Sequence, residues 1–146
     1  MARIEKADVA IIGGGPAGLA AAAEAKGAGA DRVLLLERDE RVGGILNQQV
    51  HDGFGTKVFN EALTGPEYAA IYENRCNERD VETWLKSMVV DITPDRVLTV
   101  QSDKGFSTIE ASSVIFAMGC RERTRGAIGT PGTRPAGVYT AGAVQN

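Results

Sequence analysis

The segment that most restricts how this chain can fold is residues 8–18, Asp-Val-Ala-Ile-Ile-Gly-Gly-Gly-Pro-Ala-Gly, together with a second apolar run at 33–36 that closes on Glu37. An apolar run bounded by glycine, as at Val9 to Ile12, reads as a buried strand. The stretch after Gly18 is rich in alanine, the best helix former, and reads as a helix. Glycine at the junction lets the backbone take angles that a Cβ forbids. Pro16 fits the first helical turn, where its missing N–H is no loss. The order is strand, glycine turn, helix, strand, acid, the opening of a parallel α/β sheet of the Rossmann kind.

That order carries chemistry. Gly13 turns the chain sharply off the strand, Gly15 has no side chain to hold a pyrophosphate away from the backbone, and Gly18 lets helix and strand pack closely. The unpaired N–H groups of the first helical turn, with the positive end of the dipole, suit an anion. Glu37, at the end of the second strand, can accept hydrogen bonds from two ribose hydroxyls and would repel a 2′-phosphate, which favours an unphosphorylated adenosine ribose. A bare GxGxxG is a weak signal in a chain with 18 glycines among 146 residues. The strand before it, the helix after it and the acid nineteen positions beyond Gly18 make it specific.

Composition narrows the alternatives. The length suits one domain with a sizeable core. A net charge of −3 without a basic cluster gives no footprint for nucleic acid or an anionic membrane. The first six residues lack the apolar core of a signal peptide and no apolar run approaches membrane-spanning length, so a cytoplasmic protein is expected. Cys76 and Cys120 lie far apart, which supports neither a disulfide framework nor a redox pair. With His51 as the single histidine, no metal site is expected.

Further along, Gly43 and Gly44 end a polar turn where backbone could again approach a ligand. Residues 45–60 show neither a two-residue nor a helical period and read as irregular. Thr64 or Gly65 caps a helix with Pro66 in its first turn and Glu67 at its positive end; Tyr68, Ile71, Tyr72 and Cys76 mark its buried face to about residue 79. A short strand is expected at 81–85, followed by β segments at 88–93, 96–101 and 106–110. Turn residues between these segments predict an antiparallel meander. Residues 113–119 read as another buried parallel strand ending in glycine, and the chain from Cys120 onward as extended.

The glycine turn with Glu37, the meander, and the strand ending Ala117-Met118-Gly119 together resemble the FAD domain of flavoproteins with two dinucleotide-binding domains, the group of glutathione and thioredoxin reductases. Met118 stands where threonine is commoner in that group. Residues 63–68, Leu-Thr-Gly-Pro-Glu-Tyr, and residues 116–137 resemble segments of FAD-dependent oxidoreductases related to sarcosine oxidase alpha, hydrogen cyanide synthase and opine oxidase subunits. The resemblance runs over nearly all of residues 7–145.

The resemblance implies that Gly13, Gly15, Pro16 and Gly18, with the N–H of Ala17, hold the FAD pyrophosphate and that Glu37 holds the adenosine ribose. It places Arg38 along the adenine, although an exposed arginine after a strand is commonly a solvated charge. Gly44 falls at a second glycine near the pyrophosphate, and the Val89 backbone at the adenine edge, with a side chain that also fits the core. Ala117 and Gly119 fall against the cofactor. His51 lies in a loop directed toward the flavin, where it either moves a proton or simply bonds to backbone; Cys120, without a partner cysteine nearby, reads as a small packed residue. Relatives continue into an NAD(P)-binding domain and a final FAD-domain strand, so the implied unit is the FAD-binding portion over residues 1–146, incomplete at its C-terminus, with a sheet edge open to a partner chain or to self-association. The implied activity is electron transfer between FAD and a small-molecule substrate, an amine, imino acid or pyridine nucleotide. A dinucleotide-binding module without turnover, an NAD-dependent dehydrogenase fragment and an interaction subunit remain as alternatives.

Overall fold

A computed structural model describes residues 3–145, in which one curled six-stranded sheet carries two helices on a single face. The elements run β1 (Arg3–Ile12), α1 (Pro16–Gly27), β2 (Val33–Leu36), a 3-10 turn (Gly44–Gln48), β3 (Asp52–Phe54), β4 (Leu63–Thr64), α2 (Gly65–Glu78), β5 (Glu82–Trp84), β6 (Met88–Ile92), β7 (Val97–Ser102), β8 (Gly105–Phe116) and α3 (Ala141–Gln145). The strand order is β5-β2-β1-β8-β7-β6, with β5, β2, β1 and β8 parallel and β6, β7 and β8 antiparallel to their neighbours. No helix among the described residues is long and apolar enough to cross a membrane.

Successive strand residues face opposite sides, so the unbroken apolar run of β2 implies cover on both. Val33 and Leu35 pack with Leu19, Ala22 and Ala23 of α1 and with Cys76 of α2. Leu34 and Leu36 join Leu98 and Val100 of β7 and Ile109 of β8 in a second cluster. Since β7 is three places from β2 in the sheet, that cluster forms only because the meander curls back over the face opposite the helices.

The segments expected as separate strands at 106–110 and 113–119 are one strand, β8, which ends at Phe116. Its first half pairs with β7 and its whole length with β1. Ile109, Ala111 and Val114 all belong to the second cluster, as do Ala7 and Ala10. Strict alternation would put Ala111 and Val114 on opposite faces, and likewise Ala7 and Ala10, so both strands change face together near Asp8 and Ser112. There the Asp8 N–H donates to the Arg32 carbonyl, and the Asp8 carboxylate accepts from the Arg32 N–H at 2.7 Å. The Arg32 guanidinium in turn bonds Glu5 at 2.7 Å and Glu82 at 2.9 Å, tying the lower ends of β1, β2 and β5. Nor is the second half of β8 buried as expected: Ile115 and Phe116 are exposed, because β7 stops pairing at Glu110.

Two further expectations change. Residues 45–60 are not irregular throughout, since they contain the 3-10 turn and β3, which pairs with β4. Their apolar residues are spaced for α2 rather than for each other: Phe59 lies 5.6 Å from Tyr68, and Arg75 stacks 5.0 Å from the Phe59 ring. Beyond Cys120 the chain is not simply extended; it turns at 125–129, and the Glu122 carboxylate accepts the Gly142 N–H at 2.7 Å at the start of α3. The α2 start is as expected, with Thr64 and Glu67 forming a reciprocal capping box.

Leu98 is fully buried between the two layers. Leu98→Ala should lower stability by about 2–5 kcal/mol, as cavities in cores of this kind do; a urea unfolding midpoint equal to that of the unchanged chain would contradict this packing.

Candidate functional site

The glycine turn is built as its spacing requires. Gly13 has φ +105°, and a Cβ there would lie 2.5 Å from the Ala117 carbonyl oxygen. At Gly18 a Cβ would fall 1.8 Å from the Gly13 carbonyl oxygen, so only glycine lets α1 rest against the turn. Gly15 differs: a Cβ there would meet nothing within 4 Å. Gly15 is the N-cap of α1, with no side chain capping it and Pro16 starting the helix. The helix N–H groups at this end, Ala17 among them on the exposed side, therefore face open space. A dinucleotide pyrophosphate fits that chemistry, because the cradle is backbone donors beside a position where any side chain would intrude.

Glu37 follows β2 and is buried, 5% exposed. One carboxylate oxygen accepts the Gly14 N–H at 2.6 Å and the other the Asp39 N–H at 2.9 Å. A carboxylate has about four acceptor positions, so this pair of bonds orients it while leaving capacity for ribose hydroxyls. The Gly43 N–H donates to the Gly14 carbonyl at 2.8 Å, and a Cβ on Gly44 would stand 3.1 Å from the Gly15 Cα, so the second glycine pair lies directly on the first turn.

Beside these turns opens a groove of about 810 Å³ lined by Arg38, Gly44, Asn47, Gln48, Lys86 and Asp103, among others. Arg38 is exposed and loosely paired with Asp39 at 3.9 Å. Lys86 and Glu40 pair at 2.9 Å; each shifts the other toward its charged form, the lysine upward and the carboxyl downward.

Of the residues expected to form a site, the structure gathers Gly13, Gly15, Pro16, Ala17, Gly18, Glu37, Arg38, Gly44 and Ala117 around the upper ends of β1, β2 and β8. The Ala117 N–H donates to the Ile12 carbonyl at 2.9 Å, which seats that residue on the glycine turn. Val89 packs its side chain against the second core cluster, and its strand begins just after Ser87, whose N–H donates to the Glu37 carbonyl at 2.8 Å. Gly119 has φ +70° and is exposed with open space around it. His51 stacks on Phe54 and bonds Gln49 and the Asp52 carbonyl, which matches the backbone-bonding alternative. Cys120 is exposed rather than packed, whereas Cys76 is buried and burial pushes its thiol pKa up. Sequence reasoning passed over Gly14, whose N–H holds Glu37 and whose Cβ would lie 2.9 Å from that carboxylate. The unbroken run of three glycines was the available signal. Lys86 and Asp103 carried no signal, because they reach the groove only through the packing of the β5–β6 and β7–β8 turns beside the loop after β2, to which Ser87 also bonds.

Residues 7–145 match the model of the pyridine nucleotide-disulphide oxidoreductase family, and the chain belongs to that family. It is similar to an opine oxidase subunit of Agrobacterium tumefaciens (strain Ach5), 30% identical over 94% of this chain and 28% of that protein. Thioredoxin reductase of Peptoclostridium acidaminophilum is 34% identical over 84% of this chain and 37% of its own length. Among solved structures, L-proline dehydrogenase from P.horikoshii superposes with TM-score 0.67 at 27% identity, covering 82% of this chain and 24% of that one. Thioredoxin reductase from Streptococcus pyogenes MGAS5005 superposes at TM-score 0.64 and 26% identity, covering 82% of this chain and 37% of that one. The chain thus spans little more than a third, at most, of the relatives named here. Its fold is the α/β dinucleotide-binding kind found in these flavoproteins.

The two glycines should answer alanine differently. Gly18→Ala should destabilise the chain by about 3 kcal/mol or more, since backbone must move to admit the Cβ, whereas Gly15→Ala should stay within about 1 kcal/mol as an N-cap change. Equal denaturation midpoints for the two variants would refute the assignment. A thiol reagent applied to the folded chain should modify Cys120 and spare Cys76, read by mass spectrometry of the peptides; early labelling of Cys76 would contradict its burial.

Proposed function

We propose that the chain is the FAD-binding portion, over residues 1–146, of a cytoplasmic flavin-dependent oxidoreductase. One observation carries the reading: the open space at Gly15, framed by unpaired helix N–H groups, stands next to a buried carboxylate already oriented at the end of β2. These residues fit an adenine dinucleotide. Gly13, Gly15 and Gly18 with the Ala17 N–H would hold the pyrophosphate, Glu37 the adenosine ribose, and Gly44 the backbone approach opposite Gly15. Arg38 and the Val89 backbone would border the adenine, while Ala117 and Gly119 would sit against the cofactor where β8 ends. When bound, FAD would supply a two-electron acceptor and donor.

The protein's contribution is binding and orientation. The Glu37 carboxylate, fixed by two backbone N–H groups, discriminates for a free ribose diol and against a 2′-phosphate. The names of the relatives support an amine or imino acid as reductant, and the family's name supports a pyridine nucleotide as the alternative. The β8 edge beyond Glu110, with Ile115 and Phe116 exposed beside it, supports pairing with a partner chain or a second copy.

Titration of the purified chain with FAD and with ADP, followed by absorption and calorimetry, tests this reading. Glu37→Gln should weaken both ligands by about 1.5–3 kcal/mol, the worth of a hydrogen bond to a charged group, and Gly15→Val should abolish binding while leaving the circular dichroism spectrum in place. Undiminished binding by either variant would place the ligand elsewhere.

A further inference from the structure

Three separate pieces of chain meet at Lys86. Its N–H donates to the Asp39 carbonyl at 2.9 Å, the neighbouring Ser87 N–H donates to the Glu37 carbonyl at 2.8 Å, and its ammonium pairs with Glu40 at 2.9 Å. The carboxylate of Asp103, in the turn between β7 and β8, acts on the same ammonium and lines the same groove. Lys86 also has φ +50°, a left-handed backbone that a residue with a Cβ adopts only where its surroundings impose it. Here the two backbone bonds to residues 37 and 39 impose it.

We propose that Lys86 is a positioning residue for the adenosine end of the groove, holding the 38–41 loop at the spacing that admits an adenine nucleotide beside Glu37. The inference rests on the dinucleotide reading above and adds a residue to it. The loop after β2 has no regular structure of its own. Among the described residues its carbonyls at 37 and 39 are tied to the β5–β6 turn, and its Glu40 side chain is tied to that turn's lysine. Without the ammonium, Glu40 would lose its ion-pair partner, and the charge along a groove also lined by Arg38, Asp39, Arg41 and Asp103 would shift against an anionic nucleotide.

ADP is the probe, titrated calorimetrically into the unchanged chain and into Lys86→Asn and Lys86→Arg, with thermal midpoints measured in parallel. Asparagine tolerates the left-handed backbone, so Lys86→Asn removes the charge with little disturbance of the turn. At low salt Lys86→Asn should weaken ADP by about threefold to fivefold, the effect available to one exposed ion pair, with the thermal midpoint unmoved. Lys86→Arg should restore most of the affinity. In about 1 M salt, where screening acts within about 3 Å, the difference should vanish. ADP affinity in Lys86→Asn equal to the unchanged chain at low salt overturns the inference alone. So does a loss of affinity that tracks a loss of stability and is not rescued by arginine. Failure of the unchanged chain to bind ADP removes the dinucleotide reading and this inference together.

Discussion

The hydrogen bond from the Gly14 N–H to the Glu37 carboxylate, 2.6 Å long and shielded from solvent, joins the turn after β1 to the turn after β2, and the upper end of the sheet is arranged around it. Burying a carboxylate is costly unless its oxygens are bonded, and here both oxygens accept backbone N–H groups. Charge-assisted bonds of this kind are stronger than neutral ones. They hold Glu37 against Gly14, leaving no room for a side chain at that position. Gly43 then bonds to Gly14, and Ser87 to the backbone of Glu37 itself, so three loops share one small region of backbone.

The second constraint is the curl of the sheet. A four-residue strand such as β2, apolar on both faces, can be satisfied by helices on one side and something else on the other. In this chain the other cover is the meander, carried back over β2 by the long strand β8. That same curl brings the β5–β6 turn and the β7–β8 turn beside the loop that follows β2, and so makes a groove where a simple continuation of alternating strands and helices would have left an open sheet end. Core packing and site formation are therefore one event: Leu98 and Val100 in the interior and Asp103 at the rim lie on the same hairpin.

Much of this was legible in the residues. The glycine spacing, Pro16 and Glu37 name their own positions, because each has a steric or electronic property that only one place in a strand-turn-helix unit requires. Thr64 and Glu67 likewise announce a helix start through chemistry confined to four residues. Where the reading went astray, the deciding partner was distant in sequence. Residues 111–112 look like a break between strands, yet pairing with β1 on both sides of them keeps β8 one strand, with a change of face at Ser112. Phe54 and Phe59 have no periodicity, since their order comes from Tyr68 and Tyr72 on α2. Ile115 and Phe116 read as core by composition and are exposed, because burial depends on a neighbour that β7 does not supply.

The sequence by itself determined the parallel unit from β1 to β2, its helix end with unpaired N–H groups and the acid that follows β2, since those properties are local: backbone angles open only to glycine, an N–H that proline lacks, a carboxylate at the end of a strand. Tertiary structure alone decided that Gly14 holds that acid, that β8 serves two halves of the sheet, that Ser87 bonds the Glu37 backbone, and that Lys86 and Asp103 border the groove. Each of those outcomes depends on bringing together segments from 23 to more than 60 positions apart. No residue type encodes such a meeting; it follows from burying both faces of β2 at once, which leaves the meander one surface on which to close.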